Sequence, residues 1–286
     1  KEYLKIRGVK FIKKNCLKVI EEKKIIKTDN SNYKFDKIIL ACGSNFKKII
    51  RKKISTKILK QFYGAGISVD LKIDDPITFK SCIRSVNRGQ ACGIYLIPQN
   101  KKNIRIGATN KLWDKNDVSM DKNSLRELIF NFKKTFNIKK FKIVKVNYGF
   151  RPVCIDGFPI IGELLKDIFL IAGTRRDGWH CSPDISDYIS ALVIKNKTKK
   201  SLFKEYNYFK PFRKPISYGK LENNIRTIVL HEISAKLQHL KRKVKKYYID
   251  KLKKKISIEV KKVLDYHGLN DGINPEVYPY LKYRAK

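Results

Sequence analysis

Two short apolar runs without polar interruption constrain the fold of this chain more than any other feature. They span residues 38–41 and 168–172, and each is followed by a turn that contains glycine. A strand covered on both faces of a parallel sheet has this continuous apolar composition, whereas a strand with one solvated face alternates apolar and polar residues. The two runs therefore predict buried parallel strands, and with them an α/β fold.

The segments before and between these runs predict antiparallel structure. Short strand-like runs at 9–12, 16–20 and 24–28, closed by a turn cluster at 29–32, predict a three-stranded meander. Residues 121–136 have apolar side chains at helical spacing. Strand-like runs lie on both sides of this helix, at 67–73, 82–86, 93–98, 104–109 and 142–147. Together they predict an inserted α+β domain.

The carboxyl-terminal third predicts helices. Ser182 and Pro183 suit the start of a helix that runs to Lys195, because serine caps a helix and proline in its first turn has no N–H to leave unpaired. Charged helical segments follow between residues 221 and 264. Basic residues are densest between Lys236 and Lys262, so an acidic partner or a polyanion is a candidate ligand there.

Composition limits the classes of function. The formal net charge is +39, but lysine is spread through every segment together with isoleucine and asparagine, which indicates an AT-rich coding bias rather than a nucleic-acid surface. The six cysteines are scattered without a Cys-x-x-Cys pair and predict no metal site. No apolar stretch reaches the roughly 20 residues of a membrane span. We therefore expect a soluble cytoplasmic protein.

Four blocks of sequence carry a resemblance to a known family. The most specific block reads Tyr-Gly-Phe-Arg-Pro-Val-Cys-Ile-Asp-Gly-Phe-Pro-Ile-Ile-Gly and contains Arg151. One block alone would be weak, because glycine-rich turns after strands occur in many α/β folds. Taken together and in this order, the segments 35–44, 93–109, 148–162 and 170–183 resemble the D-amino-acid oxidase family, which includes glycine oxidase and D-amino-acid dehydrogenase.

The resemblance implies a fold, a cofactor and an activity. The fold would be α/β (α+β mixed), with a partial FAD-binding Rossmann-like domain, an inserted antiparallel-sheet substrate domain and a helical carboxyl-terminal extension. The FAD-binding domain would comprise 1–60 and 149–200, the substrate domain 61–148, and the basic extension of unknown role 201–286. The activity would be oxidation of the C–N bond of a small amino or imino acid by hydride transfer to N5 of FAD.

The resemblance also assigns site residues. Arg151 matches the position that binds the substrate carboxylate, Tyr95 matches a tyrosine that helps to hold it, and Arg176 matches an arginine that can face the substrate. A packed strand aromatic is the alternative for Tyr95, and the neighbouring Arg175 leaves the register of Arg176 open by one residue. The flavin carries the chemistry, so no catalytic side chain is predicted and His180 is interpreted as structural. The residues implied to bind FAD are Ala41, Gly43, Gly173, Arg175, Asp177, Gly178 and Trp179.

The opening part of the family pattern is absent from this sequence. FAD-binding domains of this type begin with a strand, a Gly-x-Gly-x-x-Gly turn and a helix whose amino terminus holds the pyrophosphate. The sequence contains no such turn between a buried strand and a helix. We therefore expect an amino-terminally truncated fragment, or one subunit of an enzyme whose second chain supplies the pyrophosphate site.

Two other functions stay open. One is a tRNA-modifying FAD-dependent oxidase domain that acts on a carboxymethylaminomethyl nucleoside. It would bind the carboxylate with the same residues, and the high positive charge would bind the phosphates of tRNA. A non-catalytic basic interaction module, in which the flavin domain has degenerated, is the third interpretation. Both would bind their partner, tRNA or an acidic protein, through the basic carboxyl-terminal segment.

Overall fold

A computed structural model of the chain describes residues 1–85, 93–114, 122–138, 140–195, 209–217, 219–237, 244–269 and 273–285. The strands are β1 (Cys16–Ile20), β2 (Ile25–Thr28), β3 (Asn32–Lys34), β4 (Ile38–Leu40), β5 (Gln61–Ile73), β6 (Ile83–Arg84), β7 (Tyr95–Pro98), β8 (Asn103–Gly107), β9 (Lys111–Trp113), β10 (Phe141–Cys154), β11 (Ile160–Leu165) and β12 (Ile168–Ala172). The helices are α1 (Glu2–Ile6), α2 (Phe46–Ile49), α3 (Lys52–Ser55), α4 (Lys122–Phe136), α5 (Ser182–Lys195), α6 (Leu221–Leu237), α7 (Lys246–Tyr266) and α8 (Tyr278–Arg284).

The chain divides into two compact units. Unit 1 comprises Lys1–Ile58, Ile160–Ala172 and Cys181–Arg213, and unit 2 comprises Leu59–Pro159, Gly173–His180 and Lys214–Lys286. The described helices that follow residue 213 therefore belong to the same unit as the predicted substrate domain. The bounds given above for the FAD-binding domain, the substrate domain and the basic extension stay predictions.

The two predicted parallel strands pair with each other in unit 1. β12 lies parallel to β4, with Leu170 opposite Leu40, and β11 pairs with β12 on its other side. Ile161 of β11 packs against α5 through Ile185 and Ile189, which covers one face of this sheet. The prediction of full burial is wrong for Ile39, which is 44% exposed.

The predicted meander exists, but its strands are shifted along the sequence. β1, β2 and β3 form the antiparallel sheet, and residues 9–12 are not a strand. The turn cluster joins β2 to β3, because the Thr28 N–H and hydroxyl both donate to the carbonyl of Ser31, at 2.9 and 2.7 Å. The third strand was missed because its residues, Asn32–Lys34, are mostly polar.

The sheet of unit 2 is antiparallel, in the order β10-β5-β8-β7-β6, and β9 pairs with β5 as well. β5 and β10 pair along nearly their whole length, from Gln61 opposite Cys154 to Ile73 opposite Phe141. Both strands are longer than predicted. The sequence signal stops early because glycine and proline lower strand propensity, and these strands contain Gly64, Gly66, Gly149 and Pro152.

The two faces of β5 have different roles. Ile67, Val69 and Leu71 point to one face, are at most 1% exposed, and pack against Leu128 and Phe132 of α4. Because side chains alternate along a strand, the intervening residues point to the other face. That second face carries glycines and polar residues, and it forms the candidate site.

The carboxyl-terminal helices α6, α7 and α8 pack in series within unit 2. The aromatic rings of Tyr280 and Phe62 meet edge to face, with centroids 5.1 Å apart, so α8 contacts β5. The helical prediction for residues 221–264 is confirmed at 221–237 and 246–264, whereas residues 244 and 245 are not helical. Among the helices of the described residues, none combines the length and apolar composition needed to cross a bilayer.

Candidate active site

Glycines on neighbouring strands leave a floor without side chains on the polar face of the unit 2 sheet. Gly66 of β5 lies opposite Gly149 of β10, and Gly107 of β8 lies opposite Ser68 of β5. A Cβ atom at Gly66 would overlap the guanidinium of Arg151, and a Cβ atom at Gly107 would overlap the phenol of the predicted site tyrosine. The two side chains therefore lie flat on the sheet because glycine leaves room beneath them.

Arg151 is held on this floor by main-chain carbonyls. Its Nη1 donates to the carbonyl of Thr109 at 3.3 Å, and the carbonyl of Gly64 lies 3.5 Å away. Thr109 is fixed in turn, since its hydroxyl accepts a hydrogen bond from the Ile67 N–H at 2.9 Å. These contacts fix the position of the guanidinium on the sheet.

Arg151 and Tyr95 line one pocket of about 300 Å³. The other lining residues with polar side-chain groups are Ser68, Asn147 and Tyr148. Arg151 carries a positive charge and the other described lining residues are neutral, so the pocket is suited to a small anion. The rest of the lining consists of Gly66, Ile67, Ala108, Gly149 and Phe150.

A polar network that the sequence analysis missed adjoins the pocket. Arg105 of β8 donates to both carboxylate oxygens of Asp70 on β5, from Nε at 2.6 Å and from Nη2 at 3.0 Å. These hydrogen bonds hold the pKa of the Asp70 carboxyl below its ordinary value. Asn147 Nδ2 donates to the same carboxylate at 3.3 Å. Arg105 meets Asp70 because the two residues lie directly opposite each other on paired strands. A single sequence does not show how two strands are paired, so this contact could not be predicted.

Arg176 is placed elsewhere than in this pocket. Its Nη2 lies 2.9 Å from Oε1 of Glu276, and Nη2 of Arg175 lies 2.7 Å from the same oxygen. The side chain of Glu276 is only 11% exposed. The structure therefore gives both arginines a carboxylate from the carboxyl-terminal segment, and substrate binding by Arg176 remains a prediction.

The residues implied to bind FAD fall in both units. Ala41 and Gly43 follow β4 in unit 1, and Gly43 has φ of +58° with open space where a Cβ would lie. In unit 2, a Cβ at Gly178 would lie 2.7 Å from the Thr174 hydroxyl, which also excludes a side chain there. The other implied residues of the unit 2 loop are Gly173, Arg175, Asp177 and Trp179.

Two features of that loop fit a bound flavin. Gly173 has φ of +70°, a conformation that glycine adopts without strain, so the main chain can turn closely past a planar ring. Arg175 Nε is buried and has no acceptor among the described residues, whereas a flavin ring carries acceptor atoms. Trp179, in the same loop, is 88% exposed.

No cluster of three or more His, Cys, Asp or Glu side chains that could hold a metal ion occurs within the described residues. The cysteines that the structure describes are free thiols, among them buried Cys154 and exposed Cys16 and Cys82.

Comparison with known proteins places this geometry in a family. Residues 2–192 match the family model DAO, FAD dependent oxidoreductase. Glycine oxidase from Geobacillus kaustophilus is similar in structure, with a TM-score of 0.53, 19% sequence identity, and coverage of 67% of this chain and 50% of that chain. L-proline dehydrogenase from P. horikoshii gives a TM-score of 0.51, 20% identity, and coverage of 70% and 53%.

Iminodiacetate oxidase from Chelativorans sp. BNC1 gives a TM-score of 0.51 at 14% identity, covering 68% of this chain and 52% of that chain. The chain thus spans about half the length of the solved structures that it matches. At these identities the likeness establishes the fold, which is mixed α/β and of the type with a Rossmann-like FAD-binding domain, as predicted. No curated protein sequence matches the chain.

Proposed function

Because this chain belongs to the DAO family of FAD-dependent oxidoreductases, we propose that it forms the substrate pocket of an enzyme that oxidises the C–N bond of a small amino or imino acid. The observation that carries the proposal is that Arg151 and Tyr95 line the same pocket, of about 300 Å³.

The pocket has the groups that an α-amino acid requires. A planar guanidinium pairs with both oxygens of a carboxylate at once, and a phenol hydroxyl can donate to one of them. The guanidinium over Gly66 and the phenol over Gly107 lie on adjacent strands of one sheet face. A volume of about 300 Å³ is at the lower end for ligand sites, which favours a small substrate.

FAD is the cofactor of this proposal. We propose that Gly173, Arg175, Asp177, Gly178 and Trp179 contact it, on the fit of the loop residues described above, while a role of Ala41 and Gly43 remains a prediction. When bound, the flavin supplies the hydride acceptor. Arg151 and Tyr95 bind the carboxylate and so orient the α-carbon, and orientation of this kind is a large part of what a protein contributes to such a reaction.

The test is flavin reduction by amino acids in the purified holoprotein. Glycine, N-methylglycine and L-proline are mixed with it anaerobically, and bleaching of the oxidised flavin absorbance is followed. We expect reduction by at least one of them. Arg151→Ala should raise the amino-acid concentration that gives half the maximal rate of flavin reduction by about 10- to 100-fold, the loss of one charge-assisted bidentate contact, and should leave FAD bound. Absence of reduction by all three, or loss of FAD from the variant, would contradict the proposal.

The tRNA-modifying and non-catalytic alternatives remain predictions that rest on charge. A tRNA interaction would weaken steeply as salt is raised, whereas binding of an amino acid would change little. A full-length protein that contains no flavin would instead favour the interaction module.

A further inference from the structure

Asn147 lies beside the two groups proposed to bind the carboxylate. It is opposite Ser68, which is opposite Gly107, which is opposite Tyr95, so these four residues form one cross-strand row on the polar face. The guanidinium of Arg151 lies over Gly66, two residues before Ser68 on the same strand. Two residues of a strand span roughly 7 Å, so the main chain under the guanidinium and the row of Asn147 are separated by a distance that a small amino acid can bridge.

The neighbouring carboxylate fixes which way this carboxamide points. Asp70 lies in the next row, on the side of Ser68 away from Gly66, and Asn147 Nδ2 is 3.3 Å from its Oδ2. An ionised carboxylate only accepts hydrogen bonds, so the amide must turn its NH₂ group to Asp70. The amide oxygen, Oδ1, is then the end of the carboxamide that does not face Asp70, and Asn147 lines the pocket.

Asp70 is itself held in place. Arg105 binds both of its oxygens, at 2.6 and 3.0 Å, and the Asp70 side chain is 13% exposed. A series of hydrogen bonds therefore runs from Arg105 through Asp70 to Asn147, a residue that lines the pocket.

We propose that Asn147 Oδ1 accepts a hydrogen bond from the substrate amine, and that Asp70 is a positioning residue that acts through Asn147. This inference rests on the proposed function, because it takes the substrate carboxylate to lie at Arg151. A neutral acceptor suits hydride transfer, which requires the neutral amine. A carboxylate in the same place would stabilise the ammonium form and raise the pKa of the amine. The site would accordingly select primary and secondary amines, which keep an N–H when neutral.

Glycine and propionate provide the test, because they share a carboxylate and differ in an ammonium group against a methyl group. Binding of each is measured by anaerobic calorimetry on the holoprotein after its flavin has been reduced chemically, so that glycine binds without being oxidised. Asn147→Ala should weaken glycine binding by about 5- to 10-fold, the loss of one hydrogen bond, and change propionate binding less than about 2-fold. Arg151→Ala should weaken both ligands. Asn103→Ala makes the same chemical change on the same sheet outside the pocket lining and serves as the matched control.

Asp70→Asn tests the positioning role. Its amide would keep an oxygen toward Arg105 Nε and turn its NH₂ group to Asn147, so the carboxamide of Asn147 should rotate and present a donor to the pocket. We expect the same selective loss of glycine binding as in Asn147→Ala. In the double variant, Asp70→Asn should add nothing to the change in the glycine-to-propionate ratio, because the two residues act as one unit. A merely structural role of Asp70 would weaken both ligands alike.

The outcomes separate the two proposals. Equal weakening of glycine and propionate by Asn147→Ala, or no weakening of glycine, would overturn the role of Asn147 while the effect of Arg151→Ala left the proposed function intact. Failure of the unaltered protein to bind either ligand, or indifference of both to Arg151→Ala, would overturn the proposed function and this inference together.

Discussion

Glu276 binds Arg176 through Oε1, 2.9 Å from Nη2, although the two residues are 100 positions apart in the chain. Arg175 binds the same oxygen at 2.7 Å, and its main-chain N–H donates to the carbonyl of Pro152, next to Arg151. The family match ends at residue 192, so the partner of this arginine pair comes from a segment that the match does not include. The carboxyl-terminal segment therefore determines the electrostatics of a loop that we propose to lie against the flavin.

Glu276→Gln should destabilise unit 2. An amide cannot neutralise two guanidinium groups, and all three side chains are less than a third exposed. We expect the free energy of unfolding to fall by roughly 1–3 kcal/mol, measured by urea denaturation. Glu222→Gln, at an exposed position of α6, is the control and should change it by less than about 0.5 kcal/mol. Equal effects of the two substitutions would show that the arginine contacts contribute nothing specific.

Gly66→Ala should weaken carboxylate binding without unfolding the protein. The added Cβ would overlap the Arg151 guanidinium, which is the far end of a flexible side chain and can move away. The matched control is Gly149→Ala on the paired strand, where a Cβ meets nothing within 4 Å. Propionate affinity, measured by calorimetry, should fall about 10-fold or more in the first variant and by less than about 2-fold in the second, because Gly149 lines the pocket but its added Cβ would not touch Arg151. Identical affinities in both would mean that the glycine floor does not set the position of Arg151.

Acid should destabilise the protein in part through Asp70. The Arg105 hydrogen bonds lower the pKa of this carboxyl in the folded state. A carboxyl of that kind stabilises the fold above its unfolded pKa of about 4, and the contribution is lost as pH falls through the folded pKa. In Asp70→Asn the free energy of unfolding, measured by denaturation from neutral pH to about pH 2, should fall less steeply. Asp114 and Asp167 also have lowered pKa values, so some slope should remain. Parallel profiles would exclude a contribution from Asp70.

Asn224→Ala should release the segment that carries Glu276. Asn224 of α6 is 1% exposed, donates to the carbonyl of Ile273 at 3.0 Å and accepts from its N–H at 3.1 Å. Removing both contacts leaves buried main-chain groups unpaired, which costs roughly 1–3 kcal/mol. Hydrogen exchange of residues 273–285 should accelerate, whereas the neighbouring exposed Asn223→Ala should leave it unchanged. Equal exchange rates in the two variants would show that Asn224 does not hold residues 273–285 in place.

The sequence predicted the elements whose signal is local. The paired parallel strands β4 and β12, the helices α4 and α5, and the helical carboxyl-terminal region all have compositions that identify them without tertiary information. The full length of β5 was not predictable, because Gly64 and Gly66 lower strand propensity where the site requires bare main chain.

The candidate site was predictable only where a motif marks it. Arg151 lies in the most specific block, and the structure places it with Tyr95 in one pocket. The contacts of Asp70 with Arg105 and Asn147 depend on strand register, and the contact of Arg176 with Glu276 depends on a long chain return. Neither relationship leaves a pattern in a single sequence.

Strand β5 links the thermal tolerance of the protein to the shape of its candidate pocket. Its hydrophobic residues Ile67 and Val69 pack against α4, and they alternate with Gly66 and Ser68, which line the candidate pocket. A substitution that loosens the α4 interface would shift the strand as a whole, and with it the floor under Arg151. We therefore expect that substitutions made in this strand to improve heat resistance would also alter binding at the proposed site, whereas substitutions far from the strand would not.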